Sequence, residues 1–223
     1  MKKTFSIILL LIGFLSCMLF FLIKMFCYEI VPILISKLTP SALMCIWLIG
    51  KKNKNTNWVL MLCGLSFSFL CDLFMELPNQ SFQLYGIISN IVALIFYTLY
   101  FVKSCKQHNL FDLLPTTLVI MTLFSVIAPN THKMFIPIFI YCLFSIVFMW
   151  RSITCIKAPG IAPLSKQICV LGSICILCSD SLLSFQMFSI LNKSFFYEVL
   201  IMILWWIGLL LLTITAGIKE KTE

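Results

Sequence analysis

Residues 58–77 read WVLMLCGLSFSFLCDLFMEL. A bilayer core about 30 Å thick is crossed by roughly 20 helical residues at about 1.5 Å each, and this run has that length. It is apolar almost throughout, yet it carries Asp72. An Asp or Lys near the centre of a span costs about 2.5–3.5 kcal/mol on insertion scales, so such a residue pairs, lines a cavity or performs chemistry. This one stretch predicts a membrane helix that holds a functional group.

The rest of the chain repeats the pattern. Runs of comparable character lie near Phe5–Ile23, Tyr28–Ile49, Phe82–Val102, Leu113–Ile127, Phe135–Trp150, Ile168–Leu191 and Phe196–Ala216, the fifth and sixth spans being short. Polar breaks separate them: KKNKNTN at 51–57, ELPNQS at 76–81, KSCKQHN at 103–109 and RSITCIKAPGIAPLSK at 151–166. The composition agrees, with 61% apolar and 11% charged residues and a mean hydropathy of +1.08. An average soluble domain is about a quarter charged. A soluble enzyme, a disordered chain and a nucleic-acid binder are therefore excluded, and the expected architecture is all-α, a single integral domain of eight transmembrane helices. Gly64 and Gly172 stand at the same offset before Asp72 and Asp180, and Tyr97 and Trp205 at the same offset after them, an offset pattern that suggests two four-helix halves.

The net charge of +8 follows the loops. Lys2, Lys3, Lys51, Lys52, Lys54, Lys103, Lys106, Arg151, Lys157, Lys166, Lys219 and Lys221 fall on one face, against Lys24, Lys133 and Lys193 on the other. By the positive-inside rule both termini are expected in the cytoplasm. The N-terminal MKKTFSIILLLIGFLSC also has the look of a secretory signal, but the apolar run continues through Ile23, which favours an uncleaved first span.

Three charges lie at membrane depth: Lys37 in span 2, Asp72 in span 3 and Asp180 in span 7. Counted along alternating spans, all three fall at the centre or in the outer half of the bilayer, so one polar cluster is expected. Ser68 shares the face of Asp72, while Ser173 and Ser184 share that of Asp180. Pro40, three residues after Lys37, is expected to kink span 2 and free a carbonyl near the ammonium. Glu198, near the outer end of span 8, reads as an interfacial residue. The competing interpretation of the lysine and aspartates is a buried pair that holds helices together. The 11 Cys, an odd number set mostly in apolar runs, give no disulfide framework, and Cys175-x-x-Cys178 reads as two small buried hydrophobes. With His108 and His132 in polar connections, no metal site and no cofactor are expected.

In order along the chain, these residues resemble the YhhN-like lysoplasmalogenases, small eight-span membrane proteins that include the vertebrate enzymes. The resemblance covers roughly residues 30–216. It rests on Lys37-Leu38-Thr39-Pro40, on Ser68-Phe69-Leu70-Cys71-Asp72 with Pro78 beyond, on Gly86, Tyr97 and Phe101, on Trp150-Arg151 and on Ser179-Asp180. Three positions depart from the family's pattern: Cys71 replaces a Gly, Leu94 a His, and Leu209 a Gln or His.

The resemblance implies hydrolysis of the vinyl ether of a lysoplasmalogen to a fatty aldehyde and a glycerophospho-base. An acid protonates the β carbon of the enol ether, and water captures the oxocarbenium ion. By analogy with glycosidases, two carboxyls serve such a transition state, one as acid and one as carboxylate. Asp72 and Asp180 are the expected catalytic pair. Lys37 is expected to hold one carboxylate or the substrate phosphate, and Tyr97 to donate to the ether oxygen. The expected partners are a lysophospholipid substrate and the bilayer. A proton-coupled carrier and a family member that binds lipid without turnover are the alternatives; Leu94 and Leu209 motivate the second.

Overall fold

The computed structural model describes residues 3–26, 29–51, 56–105, 109–157 and 163–217. His108 and the basic residues Lys2, Lys52, Lys54, Lys106, Lys219 and Lys221 lie outside the described residues. Among the described residues there are eight α-helices, short 3-10 turns and no strand: α1 (Lys3–Phe26), α2 (Ile30–Ile49), α3 (Thr56–Glu76), α4 (Gln80–Ser104), α5 (Leu113–Ile127), α6 (Phe135–Thr154), α7 (Pro163–Met187) and α8 (Phe195–Gly217). Among the described residues, eight stretches are long and apolar enough to cross a membrane. The protein is an all-helical, multi-pass membrane protein.

Two expected spans are longer than the sequence pattern suggests. A 3-10 turn on each side of α5 extends its stretch over Leu110–Asn130, and α6 with the turn before it covers His132–Thr154. The seventh span is displaced toward the N-terminus. It begins at Pro163, and a proline at the first helical position gives up an N–H that has no intrahelical partner anyway. It ends before the expected Leu191 because the chain makes a Schellman turn there. Ile190 N–H donates to Phe185 O at 2.9 Å and Ser189 N–H to Gln186 O at 3.3 Å, with Ser189 at φ 59°. Glycine normally marks this turn and none is present, so the stop was invisible in the sequence. Asn130 Nδ2 donates to Phe188 O at 3.2 Å and holds the turn from the α5–α6 side.

The chain divides into two compact units, residues 1–93 and 94–223, with the boundary inside α4. In the first unit, α1 packs on α2 and α2 on α3. Pro40 sits inside α2, where it has no N–H to give to the Ser36 carbonyl four residues back. The Ser16 hydroxyl of α1 donates to that carbonyl at 2.9 Å. The freed carbonyl is thus met by a hydroxyl from a neighbouring helix and not by the Lys37 ammonium, which turns elsewhere. The Trp58 indole donates to Leu48 O at 2.7 Å and closes the polar end of the α2–α3 hairpin.

In the second unit, α7 and α8 make the most extensive helix–helix packing among the described residues. A Cβ built on Gly208 would stand 3.0 Å from the Gly172 carbonyl oxygen and 2.7 Å from Ile176 Cγ1, so glycine is needed for this approach. The Ser179 hydroxyl adds a bond to Ile201 O at 2.9 Å. The polar end of α6 is tied to the segment after α4. Buried Arg151 donates through Nη2 to Cys105 O at 2.6 Å, and Trp150 Nε1 to Asn109 O at 2.8 Å. Cys105 and Cys155 form a disulfide there, a pairing for which the sequence offered no signal. Cys175 is half-buried and Cys178 exposed, both free thiols, so the second of the two is not the buried packing residue expected from its apolar context.

Candidate functional site

In the first unit the polar residues form a ladder between α2 and α3. Lys37 enters two turns into α2, and Asp72 and Glu76 lie one turn apart near the end of α3, so that they share a face. The Lys37 ammonium pairs with Glu76 Oε2 at 2.7 Å, and the Ser41 hydroxyl, one turn along α2, donates to Asp72 Oδ2 at 3.3 Å. Lys24, in the last turn of α1, reaches the other Glu76 oxygen at 3.5 Å. Asp72 also acts electrostatically on Lys37. Exposure declines along the ladder, from 27% for the Lys24 side chain and 16% for Glu76 to 8% for Lys37. In the sequence Glu76 falls both in the last turn of the run at 58–77 and in the ELPNQS break. Its four-residue spacing from Asp72 was the signal that it belongs to the helix and faces the same way.

In the second unit, α5, α6 and α7 enclose a crevice with about 390 Å³ of empty space, counted out to its open mouth. Its α5 wall is hydrocarbon: Ile120, Leu123, Phe124 and Ile127. From α6 come Ile138, Tyr141, Cys142 and Ser145, and from α7 Leu177, Asp180, Ser181, Ser184 and Phe185. Phe124 is fixed against Phe135 and Phe139, with ring centroids 5.4 and 5.6 Å away. Asp180 is 7% exposed, about two turns before α7 ends. The Tyr141 hydroxyl donates a hydrogen bond to its Oδ2. Tyr141 escaped the sequence reading because a tyrosine in FIPIFIYCLFSIVFMW looks like one more aromatic lipid-facing residue; its four-residue spacing from Ser145 hinted at a polar face.

The predicted site residues thus fall in two settings. Lys37 and Asp72 share the ladder of the first unit, and Asp180 and Tyr97 belong to the second. Tyr97 is 1% exposed and packs on Phe148, ring centroids 6.2 Å apart; it is not among the residues lining the crevice. Ser68 and Ser173 are buried, the Ser173 hydroxyl bonded back to Cys169 O at 3.1 Å, whereas Ser184 lines the crevice. Leu94 and Leu209, the two departures from a polar pattern, are fully buried and packed as core. No group of three or more His, Cys, Asp or Glu positioned to hold a metal ion occurs among the described residues.

The eight helices and the carboxyls held at membrane depth define a small polytopic membrane protein with polar chemistry inside its helix bundle. The YhhN family matches residues 32–216, and the chain belongs to that family. Searches of curated proteins and of solved structures give no significant match.

Proposed function

We propose that this protein is a lysoplasmalogenase-like hydrolase, an alkenyl ether hydrolase that converts a 1-alkenyl lysophospholipid and water to a fatty aldehyde and glycerophosphoethanolamine or glycerophosphocholine. The observation that carries the reading is the crevice: a carboxyl group, engaged by a tyrosine hydroxyl, in a slot whose α5 wall is hydrocarbon and which lies within helices long and apolar enough to span a membrane. Family membership points the same way. A ligand that suits such a slot sets an apolar chain beside a polar or reactive group that meets the carboxyl.

The chemistry follows from the vinyl ether. A carboxylic acid gives its proton to the β carbon, the double-bond electrons form the new C–H bond, and the ether oxygen stabilises the cation. Water adds to that cation and releases a proton to the waiting carboxylate. The hemiacetal then collapses to aldehyde and alcohol. A carboxyl in dry surroundings can stay protonated and serve as the acid, while a charge-paired one stays ionised. Asp180 and Asp72 are the groups we assign to this work, with Lys37 serving substrate phosphate or carboxylate and Tyr97 a hydrogen-bond donor. We also assign both termini to the cytoplasm, from the basic loops; accessibility of terminal tags in intact and permeabilised cells tests that.

The direct experiment is mass spectrometry of the detergent-purified protein with a 1-alkenyl lysophospholipid beside its 1-alkyl ether analogue. Aldehyde from the alkenyl lipid alone establishes the activity. A folded sample that releases none, across head groups and pH, removes it. The second reading is a proton-coupled carrier, favoured by the ladder of Lys24, Glu76, Lys37 and Asp72 with its declining exposure. It predicts pH-gradient-dependent solute uptake in proteoliposomes and no lipid product. A third is a lipid binder without turnover, favoured by the apolar burial of Leu94 and Leu209.

A further inference from the structure

Four hydroxyl groups line the α5–α6–α7 crevice, and three are already engaged. Tyr141 donates to Asp180, Ser145 Oγ to Tyr141 O at 2.9 Å, and Ser181 Oγ to Leu177 O at 2.7 Å. Among the described residues no hydrogen bond engages the Ser184 hydroxyl. It is half-buried and sits one turn beyond Asp180 on the same face of α7. A hydroxyl in an apolar slot gains most from a ligand that brings a polar partner, because burying it without one costs about 1–3 kcal/mol.

The spacing says what that partner is. Four residues of helix rise about 6 Å. In a 1-alkenyl glycerolipid, five bonds separate the β carbon of the vinyl ether from the oxygen at the sn-2 position. With single-bond lengths near those of the backbone, that distance is roughly 6 Å when extended. A lipid whose vinyl ether lies against Asp180 therefore brings its sn-2 oxygen level with Ser184. The walls agree with this pose, since the hydrocarbon side formed by Ile120, Leu123 and Phe124 faces a polar edge formed by α7.

We infer that Ser184 is a specificity-determining residue that hydrogen-bonds the free sn-2 hydroxyl of a single-chain glycerolipid. The assignment rests on the reading of Asp180 as the group that meets the vinyl ether. A ligand lacking the sn-2 hydroxyl leaves Ser184 without a partner, and one with a second acyl chain there puts an ester and a chain where the polar edge stands.

The test separates this assignment from the hydrolase reading by measuring binding as well as turnover. Binding uses the non-hydrolysable 1-alkyl lysophospholipid and its 2-deoxy counterpart at matched detergent mole fraction; turnover uses the corresponding 1-alkenyl pair. The wild-type protein is expected to prefer the hydroxyl-bearing lipid by about three- to tenfold, the worth of one hydrogen bond. Ser184→Ala is expected to remove that preference while leaving the 2-deoxy lipid bound as before. Ser184→Cys, close in size with a weak donor, is expected to behave like the alanine variant. A wild-type protein that treats the two lipids alike, or variants that keep the preference, overturn the assignment. Loss of the binding preference in Ser184→Ala, in a protein that releases no aldehyde from any lipid, sinks the hydrolase reading and leaves the Ser184 assignment standing.

Discussion

The two units handle a membrane-buried aspartate in opposite ways. In the first, Asp72 sits one turn below a Lys37–Glu76 ion pair and takes a hydroxyl from Ser41, so carboxylates and ammonium groups alternate along one helix interface. In the second, Asp180 takes the Tyr141 hydroxyl in a crevice with no Lys or Arg in its lining. The packing follows the same contrast. Charges join α1, α2 and α3, whereas α7 and α8 meet through Gly172 and Gly208 with hardly a side chain between them. Environment, not residue type, gives two identical side chains different capacities. The first setting holds its aspartate among paired charges, and the second presents its aspartate to a slot with an apolar wall.

The sharpest way to break that comparison is to neutralise each aspartate. Under the proposed chemistry Asp180→Asn and Asp72→Asn each abolish aldehyde release, a loss of at least the 10²–10⁴-fold roughly ascribed to a positioned acid or base. Both proteins are expected to insert and to elute as the wild type does in gel filtration. Near-normal turnover by purified Asp72→Asn would reduce the first unit to a structural ladder and leave the chemistry to the crevice. The same result for Asp180→Asn would dismiss the crevice instead.

The next effect is on stability. Lys37→Met removes the ammonium from Glu76 and leaves that carboxylate with Lys24 alone. Breaking a fully buried pair costs about 3–5 kcal/mol; with Glu76 16% exposed and one lysine remaining, about 2–3 kcal/mol is expected. Pairing the change with Glu76→Gln should recover part of the loss, since the Glu76 charge no longer stays behind and Lys24, with a 27% exposed side chain, can turn to solvent. Denaturation in mixed detergent micelles reads both. An equal loss in the single and double variants would show that the lysine acts through packing of its stem and not through its charge.

How much of this was legible follows from the kind of signal each residue gives. Eight spans were readable because twenty apolar residues have few other destinations, and Lys37, Asp72 and Asp180 stood out because charge in such a run is costly. Their partners were not legible for physical reasons. Glu76 lies at the helix end, where a charge is unremarkable. Tyr141 is amphipathic and hides among phenylalanines. Ser184 is legible as sharing the face of Asp180, but so is Ser173, and only the crevice distinguishes the two. The end of α7 was missed because a serine, not a glycine, takes the left-handed turn at Ser189. The Cys105–Cys155 pairing depends on where α4 and α6 finish, which no spacing in the sequence reports.

On the other side of the comparison, Gly208→Ala tests whether close approach holds the crevice-bearing unit. The new methyl would meet Ile176 Cγ1 at 2.7 Å, which can move, and the Gly172 carbonyl at 3.0 Å, which belongs to a helix backbone and can yield only if α8 shifts. About 2 kcal/mol is expected, in the range for overpacking a tight core. Gly86→Ala is the control in the first unit. Its methyl would stand 2.7 Å from Met75 Sδ, the flexible end of a side chain that can rotate away, so a clearly smaller loss is expected. Similar losses in the two variants would mean that the units do not differ in how they tolerate volume.

The smallest expected effect is the most informative about mechanism. Tyr141→Phe keeps the ring against the crevice and removes only the hydroxyl that meets Asp180 Oδ2. If that hydroxyl merely fills space, thermal stability and turnover should both be near those of the wild type. If it holds the carboxyl in register with the reacting carbon, kcat should fall about tenfold, the kinetic equivalent of roughly 1.4 kcal/mol, with KM little changed. The split matters because the hydrocarbon walls that bind the chain are untouched by the substitution, so a pure packing defect would appear in KM. The infrared carboxyl bands give a second view that needs no turnover. The band that disappears in Asp180→Asn should shift in Tyr141→Phe, because its oxygen has lost a donor. An unmoved band would mean that the tyrosine and the aspartate are neighbours without being partners, and the distinction between the crevice and the ladder would then rest on the crevice's apolar walls alone.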